Sequence, residues 1–375
     1  MTFNTLREIQ PIVERIEEVL RLTYESNEDF NARLDELEPI NVARLGPYRP
    51  SAVLFWTDRA SYLRELDEWT SQRARECHED ALAYLRKTEQ IPLLLDLAKA
   101  INLHRITPFV GAGLSVACEY PMWGQALKKL AARLQDVLPE NIEPLLNDYE
   151  YLRVAQLLKE AASAQVDHFI RTEFRQRPEP IAGPVLLLPK LSSGCVVTTN
   201  FDTIIEDLFA RENIPLDGYM YGMQPGNNFV QRLLRGERCI LKLHGNAAQE
   251  NTYVFTEEQY RIAYGEPISF GNHLPRALRQ IFIGGSLLFL GCSLEQDRTL
   301  ELFKTVISEA SFEIPDHFAL LSEPDEKKLK VQKEERLLTL KIRPIWYSAP
   351  NHDHSLLEKI LSLAIAIAHE EVVLS

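Results

Sequence analysis

The sequence predicts an α/β protein in which a parallel sheet is wound with helices and preceded by a helical N-terminal region. Three observations carry this. Short apolar runs that end in small or polar residues recur at 105–115, 194–202, 239–245 and 286–293, as buried parallel strands do where they deliver groups to a sheet edge. From about 286 onward strand-like and helix-like segments alternate, the pattern of βαβ units. Residues 1–104 have instead apolar positions spaced by three and four.

Within residues 1–104, Leu6, Ile9, Val13, Ile16 and Leu20 form one apolar stripe, with Pro11 expected in a first helical turn. A short helix is expected over 27–37. Leu45-Gly46-Pro47-Tyr48-Arg49-Pro50 then breaks the pattern. A long helix is expected from about Ser51 to Lys87, burying Leu54, Tyr62, Leu66 and Trp69, with Glu65, Asp67, Glu68, Arg73 and Arg75 on its solvated face. Another follows over 91–101. This region carries no chemical constellation and reads best as an oligomerisation or partner surface.

Residues 105–375 form the α/β part. A strand enters the turn Gly111-Ala112-Gly113, and the next helix opens near Met122 or Trp123 and runs to about Leu138. Residues 139–176 are helical, Arg175-Gln176-Arg177-Pro178-Glu179-Pro180 is a loop, and 181–191 returns the chain to the sheet. Strand 194–199 precedes helix 203–212, residues 214–232 are loop-rich, and strand 239–243 delivers His244. Tyr253-Val254-Phe255 leads into a helix capped by Thr256, followed by helix 272–283, strand 286–291 and helix 298–310. The chain ends strand (317–321), helix (325–338), strand (343–347), helix (355–368). No internal repeat or low-complexity tract is evident.

With 54 acidic and 41 basic residues the formal net charge is −13, which argues against nonspecific nucleic-acid binding by the whole surface and leaves only a local basic patch open. The most apolar windows, such as 281–292, are too short to span a bilayer, and the N-terminus has no secretory pattern, so a cytoplasmic location is expected. Five cysteines, an odd number without a Cys-x-x-Cys pair, support neither a disulfide framework nor a zinc ribbon and read as buried thiols. No Gly-x-x-x-x-Gly-Lys-Ser/Thr loop is present. Asn351-His352-Asp353-His354-Ser355 lacks further metal ligands nearby and reads as a helix-capping turn, so no metal is expected.

Two glycines separated by one small residue let the backbone approach a ligand closely, and the N–H groups of such a turn suit a pyrophosphate. The usual dinucleotide fingerprint wants a third glycine where this chain has Val116, which disfavours a hydride-transfer dehydrogenase. Taken as an ordered set, Gly111-Ala112-Gly113-x-Ser115, Thr198-x-Asn200-x-Asp202, Leu243-His244-Gly245 and Gly291-x-Ser293 resemble the NAD-binding core of the sirtuin superfamily over roughly residues 105–350. Within it the chain looks like the bacterial sirtuin-like NAD-degrading proteins of antiphage defence. The resemblance implies a Rossmann-like parallel sheet with a helical small domain inserted at about 124–190. Two departures set the chain apart from the protein deacylases: it lacks their four zinc cysteines, and Met122-Trp123 stands where they carry a Phe-Arg pair. Trp123 is expected in the core, with a lid over the nicotinamide pocket as its other reading.

By that resemblance NAD⁺ is the substrate. Nicotinamide leaves as a neutral group from a cationic glycoside, so the protein mainly orients the ribose and the nucleophile. Asn200 would position water and ribose, and His244 would polarise a ribose hydroxyl or water. Asp202 would hold the carboxamide, with a plain helix cap as its alternative reading. Gly111, Ala112, Gly113 and Ser115 would hold the pyrophosphate, Thr199 would contact the cofactor, and Gly291 and Ser293 would lie on the adenosine side. Asn246, Asp297 and Glu323 are weaker candidates. The implied activity is an NAD⁺ hydrolase gated by homo-oligomerisation or by a partner, a HerA-type ATPase being plausible by analogy. A deacylase or ADP-ribosyltransferase, and a nonenzymatic NAD or ADP-ribose sensor, are the alternatives.

Overall fold

The computed structural model describes residues 3–42, 46–138, 142–148, 150–175, 180–192, 194–224, 228–295 and 298–374. Two compact units are present, one made of residues 1–79 and 371–375, the other of residues 80–370.

In the first unit, α1 (Phe3–Glu25) is followed by α2 (Glu28–Leu34), a hairpin of β1 (Ile40–Val42) and β2 (Gly46–Tyr48), then α3 (Pro50–Thr57) and α4 (Arg59–Cys77). The long helix expected from Ser51 to Lys87 is broken twice. Asp58 leaves the helical region (φ −142°, ψ 74°) and its carboxylate accepts from Ser61 N, so it caps a new helix rather than continuing the old one. A second break falls at His78, ahead of α5 (Glu79–Lys87). Pro11 lies inside α1 rather than in its first turn, where the ring removes one donor from the helical ladder. The core of this unit is aromatic: Phe30, Phe55 and Tyr62 pack at centroid distances of 4.9–5.2 Å, and the Tyr62 hydroxyl donates to Asn31 Oδ1 at 2.7 Å. Leu54, Leu66 and Trp69 pack partly buried against it. The α1 stripe is not absorbed by this core. Val13 and Ile16 are exposed, as are Ile12 and Val19, while Leu20 packs on the aromatic cluster. The side chains of Leu6 and Ile9 lie outside the described residues.

The second unit is the α/β part. It opens with the rest of α5 and with α6 (Ile91–Asn102), and its sheet has seven parallel strands in the order β5-β6-β4-β3-β7-β8-β9. These are β3 (Ile106–Val110), β4 (Val196–Thr198), β5 (Gly218–Tyr221), β6 (Cys239–Lys242), β7 (Ser286–Leu290), β8 (His317–Ser322) and β9 (Ile342–Tyr347). The central strands β4, β6 and β7 are buried at every residue, which is why their sequences read as unbroken apolar runs. Between β3 and β4 lie α7 (Trp123–Leu134), α8 (Glu143–Asn147), α9 (Tyr151–Phe174) and α10 (Leu188–Leu191), so among the described residues the regular elements between those strands are helical. The remaining connections carry α11 (Ile204–Arg211), α12 (Phe229–Leu234), α13 (Glu257–Tyr264), α14 (His273–Gly284), α15 (Arg298–Glu309) and α16 (Lys327–Thr339), and α17 (Ser355–Ala368) follows the last strand. Thr256 caps α13 through a reciprocal pair with Gln259, as the sequence predicts.

One strand was hidden in the stretch expected to be loop-rich. β5 occupies 218–221 and pairs in parallel with β6 through Gly218↔Cys239 and Tyr221↔Lys242. It is four residues long, sits at the sheet edge and begins with glycine, so its own pattern is too short to stand out, and only the partner strand makes it a strand. Pro225, Gly226 and Asn227 of that stretch lie outside the described residues. Among the described residues no helix is long and apolar enough to cross a membrane.

Candidate functional site

With β3 at the middle of the sheet, the chain proceeds to β4 on one side and, later, to β7 on the other. A crevice opens beyond the carboxyl ends of strands at such a reversal. All four sequence motifs sit there.

The turn after β3 and the turn after β7 interlock. A Cβ added at Gly111 would fall 2.5 Å from Gly291 O, and one added at Gly291 would fall 2.5 Å from Leu114 N. Gly291 also has φ +66°, a conformation that disfavours side chains. The Gly111 and Gly113 amides donate to Leu290 O (2.8 Å) and Gly291 O (3.0 Å). This corrects the expectation that both glycines offer their N–H groups to a pyrophosphate. Their contribution to the crevice is open space and close main-chain packing. A 3₁₀ turn over Ala112–Cys118 follows, and α7 opens at Trp123 as the sequence predicts.

A hydrogen-bonded chain joins β3 and β4 above the sheet. Thr198 Oγ1 donates to Val110 O (2.9 Å) and accepts from Asn200 N (3.0 Å). Asn200 Nδ2 donates to Ser115 Oγ (2.9 Å) and to Gly111 O (3.2 Å). Ser115 in turn donates to Asp202 Oδ2 (2.9 Å), whose other oxygen accepts from Ile204 N (3.1 Å) at the start of α11. Asp202 therefore lies just ahead of α11, bonded to its first amide, and lines the crevice. Burial pushes its carboxyl above the usual carboxylate range, and the ammonium of Lys242 partly opposes this.

Lys242 is the residue that sequence reading missed on this side. It is fully buried, and its ammonium donates to the carbonyls of Phe201 (3.3 Å) and Asp202 and pairs with Glu206 Oε1 (3.0 Å). The signal was in the sequence: a lysine inside the apolar run Cys239-Ile240-Leu241-Lys242-Leu243 needs a partner.

His244 follows β6. Its Nε2 lies 2.6 Å from the Tyr260 hydroxyl, and its main-chain carbonyl accepts from Val254 N at 3.0 Å. Phe201, Trp123 and Tyr260 surround the imidazole at centroid distances of 5.8–6.5 Å. Trp123 is half-buried and lines the crevice instead of sitting in the core, with its ring against Phe201 and Phe255 at 5.9 Å. Tyr260 was not singled out as a site residue. It reaches His244 only through the fold of α13 against β6, and nothing in its local sequence marks it.

The crevice is a cavity of about 1100 Å³. Gly111, Ala112, Gly113, Ser115, Thr199, Asn200, Asp202, His244, Gly291 and Ser293 all line it, so the fold brings every member of the expected set to one place. Its wall carries Lys128, Arg298, Lys333 and Arg336 against Asp148, Asp202 and Glu295, one cation in excess, with Arg298 also paired to Glu301 and both Lys333 and Arg336 to Glu295. Such a lining favours an anionic ligand. Although burial would raise Glu295, contacts to Lys333 (2.5 Å) and Arg336 (3.1 Å) hold its carboxyl below the usual range.

The weaker candidates fall elsewhere. Asn246 is buried and its Oδ1 accepts from Ala248 N, while Glu323 pairs with Lys330 at 2.7 Å; neither lines the cavity. Asp297 lies outside the described residues. The 351–355 segment is a capping turn, with Asp353 Oδ1 accepting from Ser355 N and His354 bonded to the Tyr347 hydroxyl. Among the described residues no group of three metal-ligating side chains is assembled. Cys118, Cys195 and Cys239 are buried, and burial pushes the Cys239 thiol up to about 11; Cys77 is exposed.

Over 207 residues, 55% of this chain, the sequence is 25% identical to the NAD(+) hydrolase ThsA of Acinetobacter baumannii (strain 532279). The matched region spans 40% of that protein's length. Residues 194–345, which carry Asn200, Asp202, His244, Tyr260, Gly291 and Ser293, match the SIR2-like domain family.

Proposed function

We propose that the crevice binds NAD⁺ and that the protein hydrolyses it to nicotinamide and ADP-ribose. The observation that carries this reading is the convergence of Asn200 and His244 on one cavity with the interlocked glycine turns, inside a segment that matches a SIR2-like domain. The similarity to an NAD(+) hydrolase supports the choice of reaction.

The chemistry asks little of the protein in acid catalysis. The bond from the ribose anomeric carbon to the nicotinamide nitrogen breaks, and its electron pair returns to the pyridine ring, neutralising the leaving group. A water oxygen then bonds to that carbon and releases one proton. Both Nδ2 hydrogen bonds of Asn200 go to Gly111 and Ser115, and its Oδ1, which accepts a long bond from Thr199 Oγ1 (3.5 Å), has a second lone pair to orient a ribose hydroxyl or the water. His244 takes or polarises the proton, a role suited to imidazole near neutral pH. Asp202 faces the carboxamide, and the cationic wall accommodates the pyrophosphate.

The activity acts as an NAD-depleting effector in bacterial antiphage defence, in the cytoplasm, and stays quiet until an oligomer forms or a partner such as a HerA-type ATPase engages. The exposed α1 stripe of Ile12, Val13, Ile16 and Val19 supports a docking role for the helical N-terminal region. The test is to incubate the protein with NAD⁺ at several concentrations, with and without the partner, and to follow nicotinamide and ADP-ribose. The reading expects both products in equal amounts without any acceptor, and expects Asn200→Ala and His244→Ala to abolish them while the far-UV circular dichroism stays that of the folded protein. Products that appear only with an acyl-peptide would replace it with a deacylase, and tight NAD⁺ binding without turnover in any state would replace it with a sensor.

A further inference from the structure

We infer that Tyr260 is a positioning residue for His244, holding its ring in one orientation and one neutral tautomer; this rests on the proposed role of His244. The Tyr260 hydroxyl and His244 Nε2 are 2.6 Å apart, a short contact that persists only if both side chains are held. They are. Tyr260 is buried, its ring stacks on Tyr264 at 5.4 Å and 9°, and the Thr256–Gln259 pair fixes the first turn of its helix. On the other side, Val254 N ties down the carbonyl of His244, and Phe201 and Trp123 confine the imidazole.

The consequence is a division of labour between the two ring nitrogens. A hydroxyl so close to Nε2 commits that atom to a hydrogen bond, and because a phenol donates more strongly than it accepts, the bond favours the neutral ring in which Nε2 accepts and Nδ1 carries the proton. A freely turning imidazole would present the wrong nitrogen, or the wrong tautomer, to the water for part of the time. Both side chains line the same cavity, so the effect is exerted where NAD⁺ is proposed to sit.

Tyr260→Phe removes one oxygen and keeps the ring stacking. Turnover is expected to fall about tenfold with the KM for NAD⁺ within about twofold, and the limb of the pH–rate profile that reports the base is expected to move. A second readout does not depend on turnover. With ¹⁵N-labelled histidine, the His244 signals are assigned by their loss in His244→Ala. The wild-type protein is expected to show a single neutral tautomer, and Tyr260→Phe a mixture with a displaced titration. An unchanged tautomer and titration in Tyr260→Phe, or a mixture already in the wild type, overturns the inference. Absence of NAD⁺ cleavage by the wild type at every protein concentration, with and without the partner, would instead remove the proposed function, leaving the tautomer result to stand by itself.

Discussion

The ammonium of Lys242, on β6, lies 3.0 Å from Glu206 Oε1 on α11 while also donating to the carbonyls of Phe201 and Asp202. One buried cation thus clamps the turn that presents Asn200 and Asp202, and it does so from a position two residues before His244. Removing it leaves the largely buried Glu206 carboxylate without its cation and frees both carbonyls.

Lys242→Met is therefore expected to cost about 3–5 kcal/mol, the range for breaking one partner of a buried pair. Urea unfolding measures this. Adding Glu206→Gln to the same chain should recover part of the loss, because no charge is then left unpaired. Equal midpoints for the wild type and Lys242→Met would show the pair to be dispensable.

Ser115 accepts from Asn200 and donates to Asp202. With Ser115→Ala, both side chains lose their link at little cost in volume. NAD⁺ cleavage is expected to fall by about 10- to 100-fold, the scale for loss of one positioning hydrogen bond or two. Steady-state kinetics on the purified variant read this, and near wild-type turnover would remove Ser115 from the positioning chain.

Gly291→Ala tests the interlocked turns. The added methyl would meet Leu114 N and the Gly113 backbone, and φ +66° is strained for alanine. A destabilisation of about 1–3 kcal/mol is expected, together with loss of NAD⁺ affinity by calorimetry. Gly236→Ala is the contrast: φ +73° carries the backbone strain, but nothing lies within 4 Å of the added carbon. Equal losses in the two would show that close approach at Gly291 adds nothing to the conformational strain.

His317, away from the cavity, sets a pH dependence of stability. It is fully buried on β8, Nδ1 accepts from Leu287 N at 3.0 Å, and burial lowers its pKa from 6.5 to about 3. The unfolded chain binds this proton more readily than the folded one. The stabilisation is thus present above pH 6.5 and is lost as pH falls toward about 3. Between pH 7 and pH 5 the loss is expected to be about 2 kcal/mol. His317→Asn keeps an acceptor for Leu287 without a titrating group, so the difference between wild type and variant should narrow by that amount on acidification, as read by urea unfolding at the two pH values. A gap independent of pH would sink the assignment.

The elements of the α/β part were largely legible. Strands with fully buried faces, such as Ser286–Leu290, and helices with a cap, such as Thr256 ahead of Glu257–Tyr264, declare themselves within ten residues. Where the signal is not local, it fails. β5 exists because β6 supplies its hydrogen bonds, and α3 parts from α4 because Asp58 folds back onto Ser61. The candidate set was legible for a different reason. Its members end strands, and strand ends in a parallel sheet share one edge whatever the order of the strands.

By itself the sequence determined which residues reach the carboxyl edge of the sheet, since apolar runs set the strands and the polar residues after each run mark where the strand ends. Only the tertiary structure decided what those residues do to one another. It committed the Gly111 and Gly113 amides to main-chain carbonyls, set Lys242 beneath the Asn200–Asp202 turn, and brought Tyr260 to His244. Each of these joins positions separated by 16 to 180 residues or so along the chain, and hydrogen bonding at about 3 Å is settled by packing rather than by neighbours in sequence.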